Sequence, residues 1–235
     1  MRVVTLKING QEMSGREDED ILHVAREHGI DIPTLCQLDG ISEWGGCRLC
    51  LVEIEGSSKL SAACVTKVSE GMVVNTESAR LAGYRKTIVE MLFTEGNHVC
   101  SVCVSNNNCE LQDISHDLKI DHISLPYRYP LKQVDASHDL FIFDANRCIL
   151  CTRCVRVCDE VEGAHTWDIA GRGIKSQLIS DLHQPWGDSP SCTSCGKCVE
   201  ACPTGALFEK GKAAGEMVKD ARFLVYLAEM KEEKS

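Results

Sequence analysis

Thiols at metal-ligand spacings dominate the chemistry this chain could do. Cys36, Cys47, Cys50 and Cys64 form one group, and Cys100, Cys103 and Cys109 a second. Cys148, Cys151, Cys154, Cys158 and Cys192, Cys195, Cys198, Cys202 form two matching runs. These groups hold all fifteen cysteines of the 235-residue chain. Thiolates so placed bind soft and borderline metals, and the odd count argues against a framework built of disulfides alone. The spacing predicts four iron–sulfur clusters, one of which lacks a cysteine and takes its last ligand from another side chain.

Each of the two runs reads C-x2-C-x2-C-x3-C, and all four positions of the first recur 44 residues later. In such runs three close thiolates clasp one cube and the fourth reaches the other. One 4Fe–4S cluster is therefore expected on Cys148, Cys151, Cys154 and Cys202, and another on Cys192, Cys195, Cys198 and Cys158. Pro203 after the last cysteine fits the pattern, while Asp159 stands where the first run could have carried proline. Structural zinc prefers two C-x2-C pairs separated by a longer loop, so zinc is the weaker reading.

The first group, C-x10-C-x2-C-x13-C, combines an inner C-x2-C with a fourth ligand from further along the chain. That is the arrangement of a 2Fe–2S loop. Gly40, Gly45 and Gly46 let backbone N–H groups approach the sulfurs, or serve ordinary turns. The second group, C-x2-C-x5-C, is preceded by His98, whose neutral imidazole can complete a third 4Fe–4S cluster on Cys100, Cys103 and Cys109. The alternatives are a three-cysteine 3Fe–4S cluster or a ligand from the Asp113/His116 turn. His23, His28, His122, His138, His165 and His183 stand further from the group along the chain.

The formal charge is −10, and fifteen thiolates on four oxidised cores add about −7 more. Nucleic acid and anionic membrane are poor partners for such a surface. Arg147, Arg153 and Arg156 lie among the cysteines and are read as offsetting local negative charge. No apolar run reaches transmembrane length and no secretory pattern opens the sequence, so a reducing, cytoplasmic address is expected without membrane insertion.

The elements that must hold these ligands read as an α+β succession of modules. Residues 1–78 alternate as a strand through Ile8, turn at Asn9-Gly10, continue through a helix over 20–28, and end with strands at 51–54 and 72–75. Residues 79–140 carry a helix over 78–92, the three-cysteine group, a short helix over 110–118 and a Pro- and Tyr-containing connection from 121. Residues 141–210 form the two-cluster module. Residues 211–235 read as a helical tail, with Val218, Phe223, Leu224, Leu227 and Met230 as an apolar stripe for packing on its own protein or docking a partner.

The phrases LCQLDGISEWGGCRLCLVEIEG, NCELQD and CILCTRCVRVCDEV resemble the N-terminal part of the complex I large iron–sulfur subunit and of iron-only hydrogenases. At this length the chain is most similar to the small diaphorase iron–sulfur subunit of NAD-reducing nickel–iron hydrogenases. The resemblance implies a β-grasp fold for the 2Fe–2S module. It also implies a hetero-oligomer with a flavin/NAD-binding diaphorase subunit and nickel–iron hydrogenase subunits, the 2Fe–2S module facing the flavin. The complex I relatives space the histidine as H-x3-C, whereas here it is H-x-C.

No G-x-G-x-x-G fingerprint and no P-loop occur, and no cysteines remain for a nickel–iron centre. The chain is thus expected to conduct electrons without transforming a substrate itself. An iron–sulfur subunit of a formate dehydrogenase or a complex I-like assembly, a free soluble carrier, and a zinc scaffold are the other readings.

Overall fold

Alternation of apolar and polar residues builds the first strand: Val4, Leu6 and Ile8 are buried, and Val3, Thr5 and Lys7 face out. In the computed structural model, which describes residues 2–232 with the side chains at 228, 229, 231 and 232 set aside, this strand is β1 (Val3–Ile8). Met1 of the expected first strand and residues 233–235 of the expected tail lie outside the described residues. Two compact units are present, residues 1–37 with 43–89 and residues 38–42 with 90–235.

In the first unit β1 turns through Asn9 and Gly10, both at positive φ (51° and 79°), into the antiparallel β2 (Gln11–Arg16). That is the conformation a tight two-residue hairpin requires, and Asn-Gly adopts it at least cost. Asp20 caps α1 (Ile21–Glu27) by accepting the His23 N–H at 2.9 Å, and Ile21, Leu22, Val24 and Ala25 of the helix are buried. β3 (Leu51–Ile54), β4 (Leu60–Ala62) and β5 (Val73–Asn75) complete a five-stranded sheet of order β2-β1-β5-β3-β4, in which β1 and β5 run parallel. The expected ββαββ order is present with one addition. β4 is three residues long and has too little alternation to be read from sequence. Residues 79–89 of α2 (Ala79–Glu95) belong to this unit. From them the buried Arg85 donates to the carbonyls of Leu49, Leu51 and Thr76 at 3.0–3.1 Å.

The second unit repeats itself at the backbone. Leu150 and Thr152 have positive φ (53° and 62°), as do Ser194 and Gly196 (57° and 74°). Each pair leads into a four-residue helix, α4 (Arg153–Arg156) or α5 (Lys197–Glu200). The 44-residue repeat of cysteines is therefore a repeat of conformation. The flanking strands exchange partners across it. β7 (Phe141–Asp144), before the first run, pairs with β10 (Leu207–Glu209), after the second. β8 (Trp167–Ala170), after the first, pairs with β9 (Gln177–Ser180), before the second. β6 (Val134–Asp135) adds an edge to β7, so part of the stretch read as connection belongs to this sheet. Upstream, α3 (Glu110–Asp117) follows the three-cysteine group. A π-helical turn, Val157–Glu162, continues α4 and carries Cys158.

The tail differs from its expected form. The helix is α6 (Phe223–Glu232), and the residues before it run without helix. Met217 is buried there and its N–H donates to the Val104 carbonyl at 2.9 Å. Val218 is 69 % exposed, while Leu224 is fully buried and Phe223 and Leu227 pack beside it. Backbone pairing with residues 103 and 104 competes with helix formation at 215–217 and prevails, so the stripe is shorter and packs on its own unit.

Residues 38–42, within the long loop between Cys36 and Cys47, also pack in the second unit. Ile41 joins its apolar core. The N–H and hydroxyl of Ser42 donate to the Glu160 carboxylate at 2.7 and 2.5 Å, and Arg156 donates to the Ser42 carbonyl. Gly40, at φ +88°, lies so close to α6 that a Cβ would come within 2.8 Å of the Leu224 carbonyl.

Candidate metal centres

All fifteen cysteines are free of disulfides. In the first unit Cys36, Cys50 and Cys64 are fully buried and Cys47 is half-buried. Cys50 and Cys64 have their sulfurs 3.4 Å apart, and the Cys36 side chain contacts both Cys47 and Cys64. Main-chain donors serve two of the sulfurs: Leu35 N–H reaches Cys47 Sγ at 3.4 Å and Cys47 N–H reaches Cys36 Sγ at 3.5 Å. The contact with Cys47 holds the Cys36 thiol down to about 2, and the contact with Cys64 holds Cys50 at about 7. The same contacts push Cys47 and Cys64 up. Four thiols gathered in one buried place form a donor set suited to a cation-rich cluster.

In the second unit one hollow is lined by Cys148, Cys151, Cys154 and Cys202, together with Leu150, Leu178, Pro203 and Leu207. A second is lined by Cys158, Cys192, Cys195 and Cys198, together with Phe141, Trp167 and Trp186. Each hollow thus takes three cysteines from one run and the last cysteine of the other. Strand exchange is the cause, because β7·β10 and β8·β9 pairing carries the end of each run across to its counterpart. Burial pushes Cys148 up to about 12 and Cys151 up to about 11, and raises Cys154 and Cys198 strongly. Burial acts the same way on Cys202, but Lys219 and the Thr204 and Leu207 N–H groups outweigh it and bring that thiol below its ordinary value. Thiols so raised stay protonated until a metal supplies positive charge, so these apolar hollows fit iron–sulfur cubes.

The third group lies beside the first hollow. Cys103 and Cys109 are buried and Cys100 half-buried. Burial raises Cys109 to about 11, and the charge of Cys202 adds to it. Residues 202–205 form a strap between the two groups. Cys202 lines the hollow, and the Pro203 carbonyl accepts the Glu110 N–H at 3.0 Å. Thr204 Oγ1 donates to the Arg147 carbonyl at 2.8 Å. Gly205 lies under Cys103, where a Cβ would collide with the sulfur. Beside the strap, the buried Arg153 donates to both Glu110 carboxylate oxygens at 2.5 and 2.8 Å. Arg153 also lowers Cys151 by its charge.

His98 is packed edge-on against Phe93 at 5.4 Å. Its Nε2 is buried without a hydrogen-bond partner among the described residues. Burial, and then the charge of Arg147, bring its imidazole down to about 4. A neutral ring with a buried, unsatisfied nitrogen is what a metal ligand requires. The other proposed source is less suited, for the His116 side chain is 92 % exposed and pairs with Asp117. Gly96 leaves room for the His98 ring, since a Cβ there would stand 2.6 Å from Nε2.

Several residues at these sites carry no sequence signal. Gln112 bonds Cys100. Thr166 N–H donates to Cys158 Sγ at 3.3 Å. Lys219 donates to the Cys202 and Thr204 carbonyls. Each acts through tertiary placement, and only the proximity of Gln112 to Cys109 in NCELQD could have drawn attention to it.

Three family models match the chain in series. A 2Fe-2S iron-sulfur cluster binding domain matches residues 1–79. An NADH-ubiquinone oxidoreductase-G iron-sulfur binding region matches residues 85–124, and the ferredoxin-like domain of NADH-quinone oxidoreductase subunit 3 matches residues 139–208. The chain is 33% identical to the gamma subunit of the NAD-reducing hydrogenase HoxS of Cupriavidus necator, over 88% of this chain and 87% of that one. It is 35% identical to the NADP-reducing hydrogenase subunit HndD of Solidesulfovibrio fructosivorans, covering 89% of this chain and 36% of that one. With the mitochondrial NADH-ubiquinone oxidoreductase 78 kDa subunit of Candida albicans it shares 34% identity, covering 88% of this chain and 28% of that longer protein. Among solved structures, a chain of an NAD+-reducing [NiFe]-hydrogenase in the H2-reduced state superposes with a TM-score of 0.84 at 33% identity, covering 89% of this chain and 88% of that one. The α+β succession and the resemblance read from the sequence are borne out, with a 2Fe–2S domain followed by 4Fe–4S binding regions.

The strap makes one substitution informative. Gly205→Ala is expected to displace Cys103 Sγ and remove one 4Fe–4S signal from the reduced protein's EPR spectrum. Iron should fall by about four per chain. Unchanged iron and unchanged spectra would show that Cys103 is not held against the strap.

Proposed function

The chain belongs to the family of the gamma subunit of NAD-reducing hydrogenases, and from that membership we propose that it is the electron-conducting subunit of such a complex. The observation that carries the reading is the match to the Cupriavidus subunit, which spans 88% of this chain and 87% of that relative. The relatives' partners enter here as inference. A flavin/NAD(H) diaphorase subunit accepts or delivers electrons at one end and nickel–iron hydrogenase subunits do so at the other, so that H2 and NAD+ interconvert with NADH and H+. Among the described residues no helix is long and apolar enough to cross a membrane, and a cytoplasmic complex is the proposed setting.

One 2Fe–2S and three 4Fe–4S clusters are the proposed cofactors, and when bound they supply one-electron storage. Cys36, Cys47, Cys50 and Cys64 are the proposed 2Fe–2S ligands. His98 with Cys100, Cys103 and Cys109 would hold one 4Fe–4S cluster. Cys148, Cys151, Cys154 and Cys202 would hold the second, and Cys192, Cys195, Cys198 and Cys158 the third. The two four-cysteine hollows support the last two sets, and the unsatisfied His98 Nε2 supports the first. The chain's own part is to bury the sulfurs, exclude water, and aim N–H groups and cations at them. Cys195 is the exposed cysteine of the fifteen. Its neighbourhood, with the Lys197–Glu162 ion pair, is the proposed exit toward the hydrogenase side.

Purification of the native assembly tests the reading. Nickel, flavin and about fourteen irons on this subunit are expected to travel together. Molybdenum in place of nickel would make it a formate dehydrogenase subunit, and a lone 25.9 kDa species a free carrier. Crossed ligation has its own readout. Cys154→Ser with Cys202→Ser should cost the iron of one cube, about four per chain, whereas Cys198→Ser with Cys202→Ser should cost about eight. The reverse pattern, about eight for the first pair and about four for the second, would refute the crossing. His98→Ala should change the EPR signal of one 4Fe–4S cluster and leave the other signals as they are, and an unaltered spectrum removes His98 from the ligand set.

A further inference from the structure

Three aromatic side chains far apart in sequence converge on the sulfurs of the second hollow. The Trp186 indole N–H donates to Cys192 Sγ at 3.3 Å, and the Trp167 side chain draws Cys198 down against the burial that raises it. His138 Nε2 lies 3.8 Å from Cys192 Sγ and 3.1 Å from Ser194 Oγ. The tautomer of His138 follows from its other nitrogen. Leu140 N–H and Phe141 N–H donate to Nδ1 at 3.1 and 3.3 Å, which leaves the ring proton on Nε2, facing Cys192. Ser194 N–H adds a main-chain donor to the same sulfur at 3.5 Å.

These donors are rigidly held. Trp186, Trp167 and His138 are 1 %, 3 % and 6 % exposed. Their rings lie against one another and against Phe141, with His138–Trp186 centroids 4.7 Å apart and Trp167–Trp186 centroids 4.8 Å apart. The Asp135 carboxylate accepts the main-chain N–H of Trp186 at 2.7 Å and that of Ser137 at 2.9 Å, which ties the two segments together. Gly187 donates to Ser137 Oγ at 2.8 Å, and a Cβ on it would collide with the Ser137 carbonyl. The glycine is what lets the 186–187 turn lie on residues 137–138.

An N–H bond to a cluster sulfur favours the extra negative charge of the reduced state and so raises the reduction potential. In an apolar, water-poor wall the effect is larger than in solvent. The first hollow is served differently. Main-chain N–H groups reach Cys148 and Cys151, and the charges of Arg153, Arg156 and Lys219 act on Cys151 and Cys202. The two halves of the repeat therefore share a backbone and differ in what stabilises their sulfurs.

We propose that Trp186, Trp167 and His138 are redox-tuning donors that raise the reduction potential of the cluster on Cys158, Cys192, Cys195 and Cys198. The proposal rests on the ligand set assigned above, and its test is made on full-length protein whose iron content and EPR signals have first been established. Trp186→Phe keeps a ring in the wall and removes the N–H. In a redox titration followed by EPR, one 4Fe–4S midpoint should move to a more negative potential while the other clusters keep theirs. No shift at full iron content overturns the tuning role and leaves the ligand set standing. A second measurement needs no substitution. Protein labelled with 15N in the tryptophan indole should show a 15N coupling on one 4Fe–4S signal by pulsed EPR. Its absence from every 4Fe–4S signal overturns the proposal, whatever the variant's ability to fold. Trp44 is the third tryptophan of the chain, and it lies in the first unit.

Discussion

A buried sulfur can carry its charge only beside a counter-charge, and the second unit is organised around that requirement. Its apolar core is wrapped about two hollows lined with cysteine, and burial holds several of those thiols well above their ordinary titration range. Filling the hollows with side chains would make a conventional core. Instead the space suits a centre whose cations would offset the thiolates. The helices and strands that flank these hollows are only two to four residues long, too short to be stable in isolation.

The same requirement explains the placement of the few buried cations. Arg153 sits within reach of Cys151 and is itself neutralised by Glu110, the residue next to Cys109. Lys219 reaches the strap at Cys202 and Thr204. A guanidinium this deeply buried is costly unless it is paired. Its pairing joins the helix after one cysteine group to the helix that carries another. Together with the strap at 202–205, it makes the three-cysteine group and the first hollow neighbours through packed protein.

The loop between Cys36 and Cys47 serves two masters. Its ends carry cysteines of the first unit, and its middle, residues 38–42, packs in the second. The ten-residue interval, longer than the four residues between the first two cysteines of plant-type ferredoxin loops, has room for the stretch that Ile41, Ser42 and Gly40 anchor. In sequence the interval reads as a long glycine-containing loop. Its destination depends on Glu160, Arg156 and Leu224, residues more than a hundred positions away.

Local features were legible because they are local in cause. The β1–β2 hairpin follows from alternation and Asn-Gly, α1 from its apolar spacing, and the repeat from cysteines 44 residues apart. The positive-φ pairs at 150/152 and 194/196 recur at the same offset because cysteines three positions apart must turn to line one hollow. The strand β4, the start of α6 at Phe223 and the roles of Gly205, Lys219, Trp167, Trp186 and His138 were not legible. Each is decided by what packs against it from elsewhere in the chain. Sequence by itself determined the number of the cysteine thiols and their spacing along the chain, since both are covalent. Tertiary structure alone decided what surrounds each sulfur, because hydrogen bonds, buried charge and excluded water arise only where distant segments meet.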